Sequence, residues 1–580
     1  MIREIKYKDL KTEYPLKRDC YKELQDYIYG EPTHRVCALY GLRRTGKSVM
    51  IEQMIKDLHE KNIPFKYYYC ENDESTIMTN LKELLDDDLK NGIKYVFVDE
   101  ITNISNFQNG CASLSDFYAK QGMKIVIAGT DSLGIAFASM ERLYDRLKFI
   151  HTSYISFGEF SRLLDKGINE YIEYGGTLTN MAYKDLQNTD EYYNTAIVNN
   201  ILHSIENSEG MRIYPPALTE LYENEDIVSA INKIISKFSQ VIALKAIRKQ
   251  YKNGPMNATI RNIERSDYPA DYRKMLNIEK VVERTRQALQ IHDNIQTRLK
   301  DAHLSELKSY LYKLDLYLSI PSYESLKRRR RKDDVEIITQ PGMIYCHSTT
   351  LINALMENDS WAEDCQIEDR NYFGMRADGF VRGFILENEV LANTYINFSD
   401  KRFYVSKLSM QLENTYLENE VHDFNYLIRA EDGSHCEADM IIKDHKKNIT
   451  YLFEVKLSDK PMIKHEKHLS NKGFVKYIGN EFAPVERKYV LYNGENGMHN
   501  DIQYVNVEDY LNIIYENNKD FDKVINILDD ISKNCIEIEG FVDKKAVLDD
   551  VVYNCEQICK NCETNKKMNL SIKKDEHEIE

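Results

Sequence analysis

The pattern G-x-x-x-x-G-K-[ST] occurs once near the start of the chain, as Gly41-Leu42-Arg43-Arg44-Thr45-Gly46-Lys47-Ser48. It follows an apolar run at 36–40 and precedes a helix-compatible run at 49–55. Strand, glycine loop and helix in this order predict a P-loop, whose backbone N–H groups hold phosphate oxygens. We expect Lys47 to reach the terminal phosphates and Ser48 to ligate Mg²⁺. The predicted nucleotide-binding residues of this stretch are Gly41, Arg44, Thr45, Gly46, Lys47 and Ser48.

A second acidic motif follows the P-loop. Residues 94–98 form an apolar strand that ends in Asp99 and Glu100. This is the Walker B arrangement, in which Asp99 would hold the Mg²⁺ shell and Glu100 would polarise the attacking water. The pair predicts ATP hydrolysis with ATP and Mg²⁺ as cofactors.

Residues 35–154 alternate strand-like and helix-like segments. Strands are predicted at 35–40, 65–71, 94–99, 124–129 and 149–155, and helices near 47–60, 75–90, 107–121 and 136–147. This alternation predicts a parallel sheet with helices on both faces. Ligands bind at the carboxyl ends of such strands, where Gly46, Lys47, Asp99 and Thr130 fall.

Composition limits the class of protein. The chain has 580 residues, enough for three or four domains, with a formal net charge of -16. Its 11 cysteines show no disulfide framework, its N-terminus lacks an apolar signal region, and no run of about 18 apolar residues is present. We therefore expect a cytoplasmic protein with no membrane partner.

One segment is basic within this acidic chain. Residues 243–332 contain 21 Lys and Arg against 10 Asp and Glu, a net charge of +11, and end in Lys327-Arg328-Arg329-Arg330-Arg331-Lys332. The run is either a solvated loop or a loop or wing that contacts phosphates. The second interpretation makes DNA a partner through 243–332.

The C-terminal half contains a second constellation of charged residues. Two strand-like runs, 437–442 and 450–456, flank a turn-rich gap and predict a hairpin, with Asp439 at or near the start of its strand. Glu454 and Lys456 share one face, because alternate strand residues point the same way. Asp followed by Glu-x-Lys is the PD-(D/E)XK nuclease pattern, in which two carboxylates hold Mg²⁺ and the lysine positions water.

The nuclease pattern also expects an upstream helical acid. Glu387 or Glu389, in the segment 383–390, would serve. Leu-Glu-Asn-Glu-Val recurs at 417–421, so Glu418 stays open as an alternative. We prefer Glu387 because a longer helix-compatible segment follows it. The predicted metal ligands are Ser48, Asp99, Glu387, Asp439 and Glu454.

These motifs together resemble the prokaryotic AAA+-like ATPases that carry a winged helix and a C-terminal PD-(D/E)XK-like domain. The resemblance rests on the P-loop, on 97–100, on Ser153-Tyr154-Ile155-Ser156-Phe157-Gly158-Glu159-Phe160, on the helix-like segment 307–314, and on 383–390, 437–439 and 454–456. It implies a polar sensor at Thr130 or Asp131. It also implies an arginine finger acting in trans, Arg146 or alternatively Arg142, and hence a homo-oligomer.

The resemblance implies four regions: a P-loop AAA+-like ATPase domain at 1–165, a helical lid and winged helix at 166–345, a mixed α/β PD-(D/E)XK nuclease-like domain at 346–515, and a polar tail at 516–580. We predict an α/β ATPase whose cycle moves a DNA-facing winged helix and a nuclease-like domain, in defence or in a mobile element. The alternative is a nucleotide-dependent switch whose C-terminal fold does not cleave.

The tail and the hairpin contain further candidate metal ligands. Cys555, Cys559 and Cys562, with Cys535, have a spacing compatible with zinc, although free thiols are the competing interpretation. His435 and Cys436 beside Asp439 are interpreted as polar residues flanking a turn.

Overall fold

The computed structural model describes residues 1–178, 220, 301–356, 367–410, 428–429 and 435–533, with internal gaps at 11–13, 74–75, 105–106, 108–110, 130–145, 327–328 and 332–333. The chain divides into two compact units. The first contains 1–320, 334–397 and 514–516, and the second contains 321–333, 398–513 and 517–580.

The first unit is built on a six-stranded sheet with the order β1-β3-β4-β5-β2-β6. Its strands are β1 (Ile2–Glu4), β2 (Val36–Tyr40), β3 (Phe65–Cys70), β4 (Tyr95–Asp99), β5 (Lys124–Ala128) and β6 (Leu147–His151). The edge strand β1 runs antiparallel to β3, and all other neighbours are parallel. The prediction of an α/β fold with a parallel sheet is confirmed for this region, with β1 as an unforeseen antiparallel addition.

Helices cover both faces of this sheet. They are α1 (Tyr21–Tyr29), α2 (Lys47–Glu60) and α3 (Met78–Lys90). Alternate β2 residues point to opposite faces, so that Cys37 and Leu39 pack with α1 and α2 while Val36 and Ala38 pack on the side of α3. Every residue of β2 is buried, which is typical of a parallel strand covered on both faces.

Two local predictions differ from the observed elements of the sheet domain. The last strand was expected at 149–155 but ends at His151, because Thr152 and Ser153 turn toward the P-loop and bond to it. Part of the helix expected over 107–121 is a π-helical turn at Leu114–Tyr118 followed by a 3₁₀ turn at Ala119–Gln121. The helix expected at 136–147 falls largely outside the described residues.

The other described elements of the first unit are mainly helices. They include α4 (Phe157–Leu164), α5 (Ile168–Tyr174), α6 (Asp301–Lys313), the start of β7 (Tyr317–Leu326), β9 (Asp334–Ile338), α7 (Pro341–Met356) and nearly all of α8 (Ile367–Phe398). Strand β9 pairs with β7, so α6 is followed by a hairpin. The sequence also predicts an amphipathic helix at 225–250, which lies outside the described residues.

The sequence is amphipathic over residues 277–319 and predicts helix as far as residue 319, but the observed helix α6 ends at Lys313. Asp315 adopts a left-handed conformation with φ of 57°. Leu316 N donates to Leu311 O at 2.9 Å, and Asp315 N donates to Tyr312 O at 3.0 Å. These two bonds form a Schellman motif, which closes the helix and releases the chain into β7.

The second unit contains a mixed sheet whose main path is β15-β16-β14-β13-β12-β10-β7-β8. Its elements, besides the later part of β7, are β8 (Arg329–Arg331), β10 (Phe403–Met410), β11 (Ile428–Arg429), β12 (His435–Asp444), β13 (Ile449–Val455), α9 (Lys472–Glu481), β14 (Val485–Tyr492), β15 (Gly497–His499), β16 (Ile502–Asn506), most of α10 (Val507–Glu516) and α11 (Phe521–Lys533). Apolar residues of α9, including Phe474 and Ile478, pack against Leu452 and Val490.

The sequence of the polar tail predicts helix to about residue 550, and in the described chain the tail is helical as far as Lys533. Cys535, Cys555, Cys559 and Cys562 lie outside the described residues. Among the helices of the described ranges, none has both the length and the apolar character that a bilayer-spanning segment requires.

Candidate functional site

The P-loop lies at the carboxyl end of β2, where its glycines serve specific purposes. Gly46 has a φ of 87° and Arg44 a φ of 64°, the left-handed conformations that let successive N–H groups converge on an anion. Gly41 has a φ of 151°, and a Cβ there would overlap Thr152 Oγ1. The backbone is therefore shaped as a phosphate-binding loop.

Lys47 begins α2 and turns back over this loop. Its Nζ donates to Gly41 O at 2.7 Å and to Leu42 O at 2.6 Å. Burial lowers the pKa of Lys47 to about 8, although the carboxylates of Glu100 and Asp99 oppose this shift. A half-buried ammonium bonded to neutral carbonyl oxygens fits a site that receives an anion such as a triphosphate.

The predicted magnesium ligands of the sheet domain come together. The Ser48 hydroxyl donates to the buried Asp99 carboxylate, and Tyr67 OH donates to Asp99 Oδ2 at 3.3 Å. Burial raises the pKa of Asp99, against the effect of the Ser48 hydrogen bond. A hydroxyl beside a carboxylate suits Mg²⁺, which would take both oxygens as ligands and polarise a phosphoryl group.

Glu100 follows Asp99 in a left-handed conformation with φ of 53°. Its N–H donates to Asp99 Oδ1 at 2.9 Å. A left-handed backbone conformation costs a non-glycine residue about 1–3 kcal/mol, and such residues cluster at active sites. Asp99 is the last residue of β4, and Glu100 follows it outside the strand.

Arg18 and Glu159 support the P-loop, and sequence reasoning missed Arg18. The two side chains form a buried ion pair with Nε–Oε1 at 2.6 Å. Arg18 also donates to the carbonyl oxygen of Thr45 in the P-loop. Glu159 lies in the segment 156–160 that carried the family resemblance, but no sequence pattern marked Arg18 as its partner.

Arg146 lies at the amino-terminal ends of the parallel strands, whereas the P-loop lies at their carboxyl-terminal ends. Val36 pairs with Leu147 and Tyr40 with His151, so Arg146 precedes β6 at its amino end. A strand of five residues separates these two ends by about 13 Å. The Nε of Arg146 donates to Asp116 Oδ1 at 2.8 Å. Arg146 is therefore not brought to the P-loop of its own chain, while Thr130, Asp131 and Arg142 lie outside the described residues.

The second constellation assembles on the β12–β13 hairpin. The strands pair antiparallel with Met440 opposite Phe453. Lys456 Nζ donates to Asp439 Oδ2 at 3.0 Å and to Glu454 Oε2 at 2.5 Å. Asp439 and Glu454 are buried. Asp439 lies in the middle of β12, not near its start as predicted, because the strand begins at His435.

The two carboxylates of this hairpin differ electrostatically. Burial opposes ionisation of Asp439, but Lys456 and Lys407 outweigh it and lower the pKa. Burial dominates at Glu454 and raises its pKa. Two buried acids facing one lysine suit a divalent cation, which their carboxylate oxygens would coordinate and whose positive charge would offset theirs.

His468 is a further neighbour that the sequence did not reveal. Its Nδ1 lies 3.2 Å from Glu454 Oε1 and 3.0 Å from Glu437 O. Fourteen residues separate it from Glu454, in an irregular segment with no diagnostic spacing. Strand β12 continues back to His435 and Cys436, which pair with Arg429 and Ile428 of β11.

The helical acids are placed differently from one another. Tyr171 OH donates at 3.1 Å to Glu389 Oε2, which is buried in the first unit, and burial raises the pKa of Glu389 to about 8. Glu389 is thus part of that unit's interior. Glu387 is half-buried on α8, also in the first unit, whereas Asp439 and Glu454 belong to the second. Glu418 lies outside the described residues.

Three or more His, Cys, Asp or Glu side chains placed to hold one metal ion are not found together in the described ranges. The two sites described above each contribute fewer protein ligands: Ser48 and Asp99 at the P-loop, and Asp439 and Glu454 on the hairpin. Glu387 as a third carboxylate stays a prediction.

Residues 33–161 match the model of the AAA domain. This match covers the P-loop, Asp99, Glu100 and Glu159. It supports an AAA-type ATPase domain in this part of the chain.

The chain is also similar to two solved structures. The Aeropyrum pernix ORC1 protein in complex with DNA has 14% identity and a TM-score of 0.23, covering 60% of this chain and 95% of that one. A replication initiator DnaA bound to AMPPCP and single-stranded DNA has 13% identity and a TM-score of 0.18, covering 47% and 89%. Scores this low do not establish a shared overall fold. No curated protein matches the chain.

Proposed function

We propose that the chain binds and hydrolyses ATP with Mg²⁺ at the P-loop. The observation that carries the proposal is the contact between Ser48 and the buried Asp99 beside the Lys47 ammonium. Lys47 would bind the terminal phosphates, and Ser48 and Asp99 would hold the metal. Glu100 would accept a proton from water as it attacks the γ-phosphorus, and the bond from that phosphorus to the ADP oxygen breaks.

We further propose that a neighbouring copy completes the site. Arg146 lies at the end of the strands opposite the P-loop of its own chain. Its side chain is about two-fifths exposed and forms an ion pair with Asp116. Such a position suits a finger offered to another subunit. Thr130 would act as the polar sensor after β5.

The test of hydrolysis is Mg²⁺-dependent phosphate release. Asp99→Asn should abolish it, since the metal loses its carboxylate. Asp87→Asn is the matched control, because Asp87 is an exposed acid of α3 paired only with Lys90 at the surface. Equal turnover of wild type and Asp99→Asn would contradict the proposal.

A second proposed function is DNA binding through 243–332. The supporting observation is that Arg329–Arg331 form strand β8, paired with β7 as Leu326 to Arg329 and Glu324 to Arg331. The basic run therefore includes an ordered hairpin strand, and in this part it is not the loop that one interpretation expected. A hairpin after a helix suits the wing of a winged helix.

Salt dependence tests this contact. Replacing Arg328, Arg329, Arg330 and Arg331 by Ser should weaken DNA binding and flatten the log–log salt slope by about 2–4 units, because each lost phosphate contact removes about 0.9. Replacing Lys446 and Lys447, two exposed residues of the β12–β13 turn, should leave the slope unchanged. Identical slopes for wild type and the four-Arg variant would leave only a solvated segment.

The hairpin site supports phosphodiester cleavage as a third element. Asp439 and Glu454 would hold Mg²⁺, and Lys456 would position the attacking water. Plasmid incubated with Mg²⁺, with and without ATP, should be cut by wild type and not by Asp439→Asn. Asp501→Asn is the control, since Asp501 is an exposed acid of the same unit.

The competing proposal is a nucleotide-dependent switch whose C-terminal fold does not cleave. The direct bonds from Lys456 to both acids suit such a scaffold equally well, because they satisfy the buried carboxylates without a metal. Intact plasmid in all arms, together with ATP-dependent DNA binding, would favour the switch. A role in defence or in a mobile element belongs to either proposal.

A further inference from the structure

Arg18 is a buried arginine whose contacts converge on the back of the P-loop. It is 6% exposed. Its guanidinium donates to the carbonyl oxygens of Thr45, Thr152 (3.1 Å) and Tyr154 (3.1 Å). The P-loop residue Thr45 is thereby joined to the segment that follows β6.

The bond to Thr45 determines how the next peptide faces. In a trans peptide the C=O and the following N–H point in opposite directions. Because Arg18 holds the Thr45 oxygen at the rear of the loop, the Gly46 N–H points forward, to the side where phosphate oxygens bind. The Arg18 side chain also packs against Gly46, with Cγ 3.8 Å from the position that a Cβ would take.

Glu159 holds the guanidinium in this position. Its carboxylate accepts from Arg18 Nε at 2.6 Å and Nη2 at 3.1 Å, and from Asp19 N at 2.8 Å. Burial works against the charge on Arg18, but the Glu159 carboxylate outweighs it and raises the arginine pKa. The arginine is therefore charged and immobilised before any ligand arrives.

We propose that Arg18 is a positioning residue for the nucleotide, which orients the Gly46 N–H through the Thr45 carbonyl and depends on Glu159 for its own placement. This inference rests on the proposed binding of ATP at the P-loop. It adds a requirement that the loop motif itself does not contain, namely a cation behind the loop.

The test separates positioning from simple structural support. Arg18→Met leaves Glu159 buried and unpaired, and should lower the melting temperature. The double variant Arg18→Met/Glu159→Leu removes both charges and should recover most of the lost stability, since replacing a whole buried ion pair is often neutral. ATP affinity of the double variant, measured by calorimetry, should still be about tenfold or more below wild type, because the Thr45 carbonyl has lost a charged donor.

A milder variant guards against misfolding. Arg18→Lys keeps a cation for Glu159 but cannot reach all the acceptors of a guanidinium, so affinity should fall while the melting temperature stays near wild type. Arg162→Met is the matched control: Arg162 is a more exposed arginine of α4 bonded to Asp19 and Tyr515. Its ATP affinity should equal that of wild type.

The outcomes distinguish the inference from the function on which it rests. Wild-type ATP affinity in both the double variant and Arg18→Lys would overturn the role of Arg18 and leave ATP binding intact. A wild-type protein that binds no ATP would overturn the proposed function and the inference with it. Weak binding by both variants with unchanged binding by Arg162→Met supports the positioning role.

Discussion

Replacing Lys47 by Ala is the most direct test of the nucleotide site. In the free protein the ammonium is half-buried and bonded to Gly41 O and Leu42 O. Binding of a triphosphate would exchange these neutral acceptors for charged phosphate oxygens. The variant removes this cation and leaves the glycine loop, Ser48 and Asp99 in place.

The structure sets the size of the expected effect. A hydrogen bond to a charged group contributes about 1.5–3 kcal/mol, which corresponds to roughly ten- to a hundredfold in affinity. Lys47 gives up two carbonyl contacts when it turns to the phosphates, so we expect the lower part of this range. With a pKa of about 8, Lys47 is mostly protonated at pH 7. The cost of protonating it on ATP binding therefore reduces the expected effect only slightly.

Calorimetric titration with ATP and Mg²⁺ at pH 7 measures this loss. Lys56→Ala is the control, because Lys56 lies on the same helix, α2, but is exposed. Circular dichroism and the melting temperature should show that Lys47→Ala folds. An unchanged ATP affinity in a folded Lys47→Ala protein would refute the assignment of this loop.

Four other predictions concern pH, hydrolysis, assembly and stability. ATP affinity of the wild type should be constant below about pH 8 and fall above it, because free Lys47 deprotonates near its pKa of about 8 while bound phosphates raise that pKa; calorimetry on Lys47→Arg should show no such decline. Glu100→Gln should bind ATP but release phosphate about 10²–10⁴-fold more slowly, and wild-type turnover would assign water activation to another residue. Mixing Arg146→Ala with Lys47→Ala subunits should restore some hydrolysis, and per-subunit turnover that is independent of concentration in a monomer would exclude a finger in trans. Arg402 lowers the pKa of Asp522 to about 2. This pairing stabilises the fold above the usual aspartate pKa, and the stabilisation is lost as the pH falls toward 2. Melting temperatures should therefore drop more steeply over this acid range in wild type than in Asp522→Asn.

Much of the sheet domain could be predicted from local sequence. The P-loop pattern, the apolar strand before Asp99 and the alternation of strands and helices are short-range signals, and five of the six strands appear close to their expected places. The missed strand β1 has three residues, too few for a recognisable pattern. The β12–β13 hairpin was also predictable, because alternation places Glu454 and Lys456 on one face.

The helical region was less predictable. The segment 277–319 has continuous amphipathic character, yet the chain leaves helix after Lys313 because Asp315 takes a left-handed conformation. Asp does so less readily than Gly, and no glycine marks this end. Choosing between Glu387 and Glu389 was equally beyond local sequence, because only packing shows that Glu389 is bonded to Tyr171 inside the first unit.

Local sequence predicts the chemistry of the loop and of the paired acids, because that chemistry requires particular residue types at fixed short spacings. Which distant side chains support these residues follows from the tertiary structure. Arg18 meets Glu159 across 141 positions and His468 meets Glu454 across 14. Such contacts depend on how whole elements pack, because a buried charged group pairs with whichever opposite charge lies near it in space, whatever their separation along the chain.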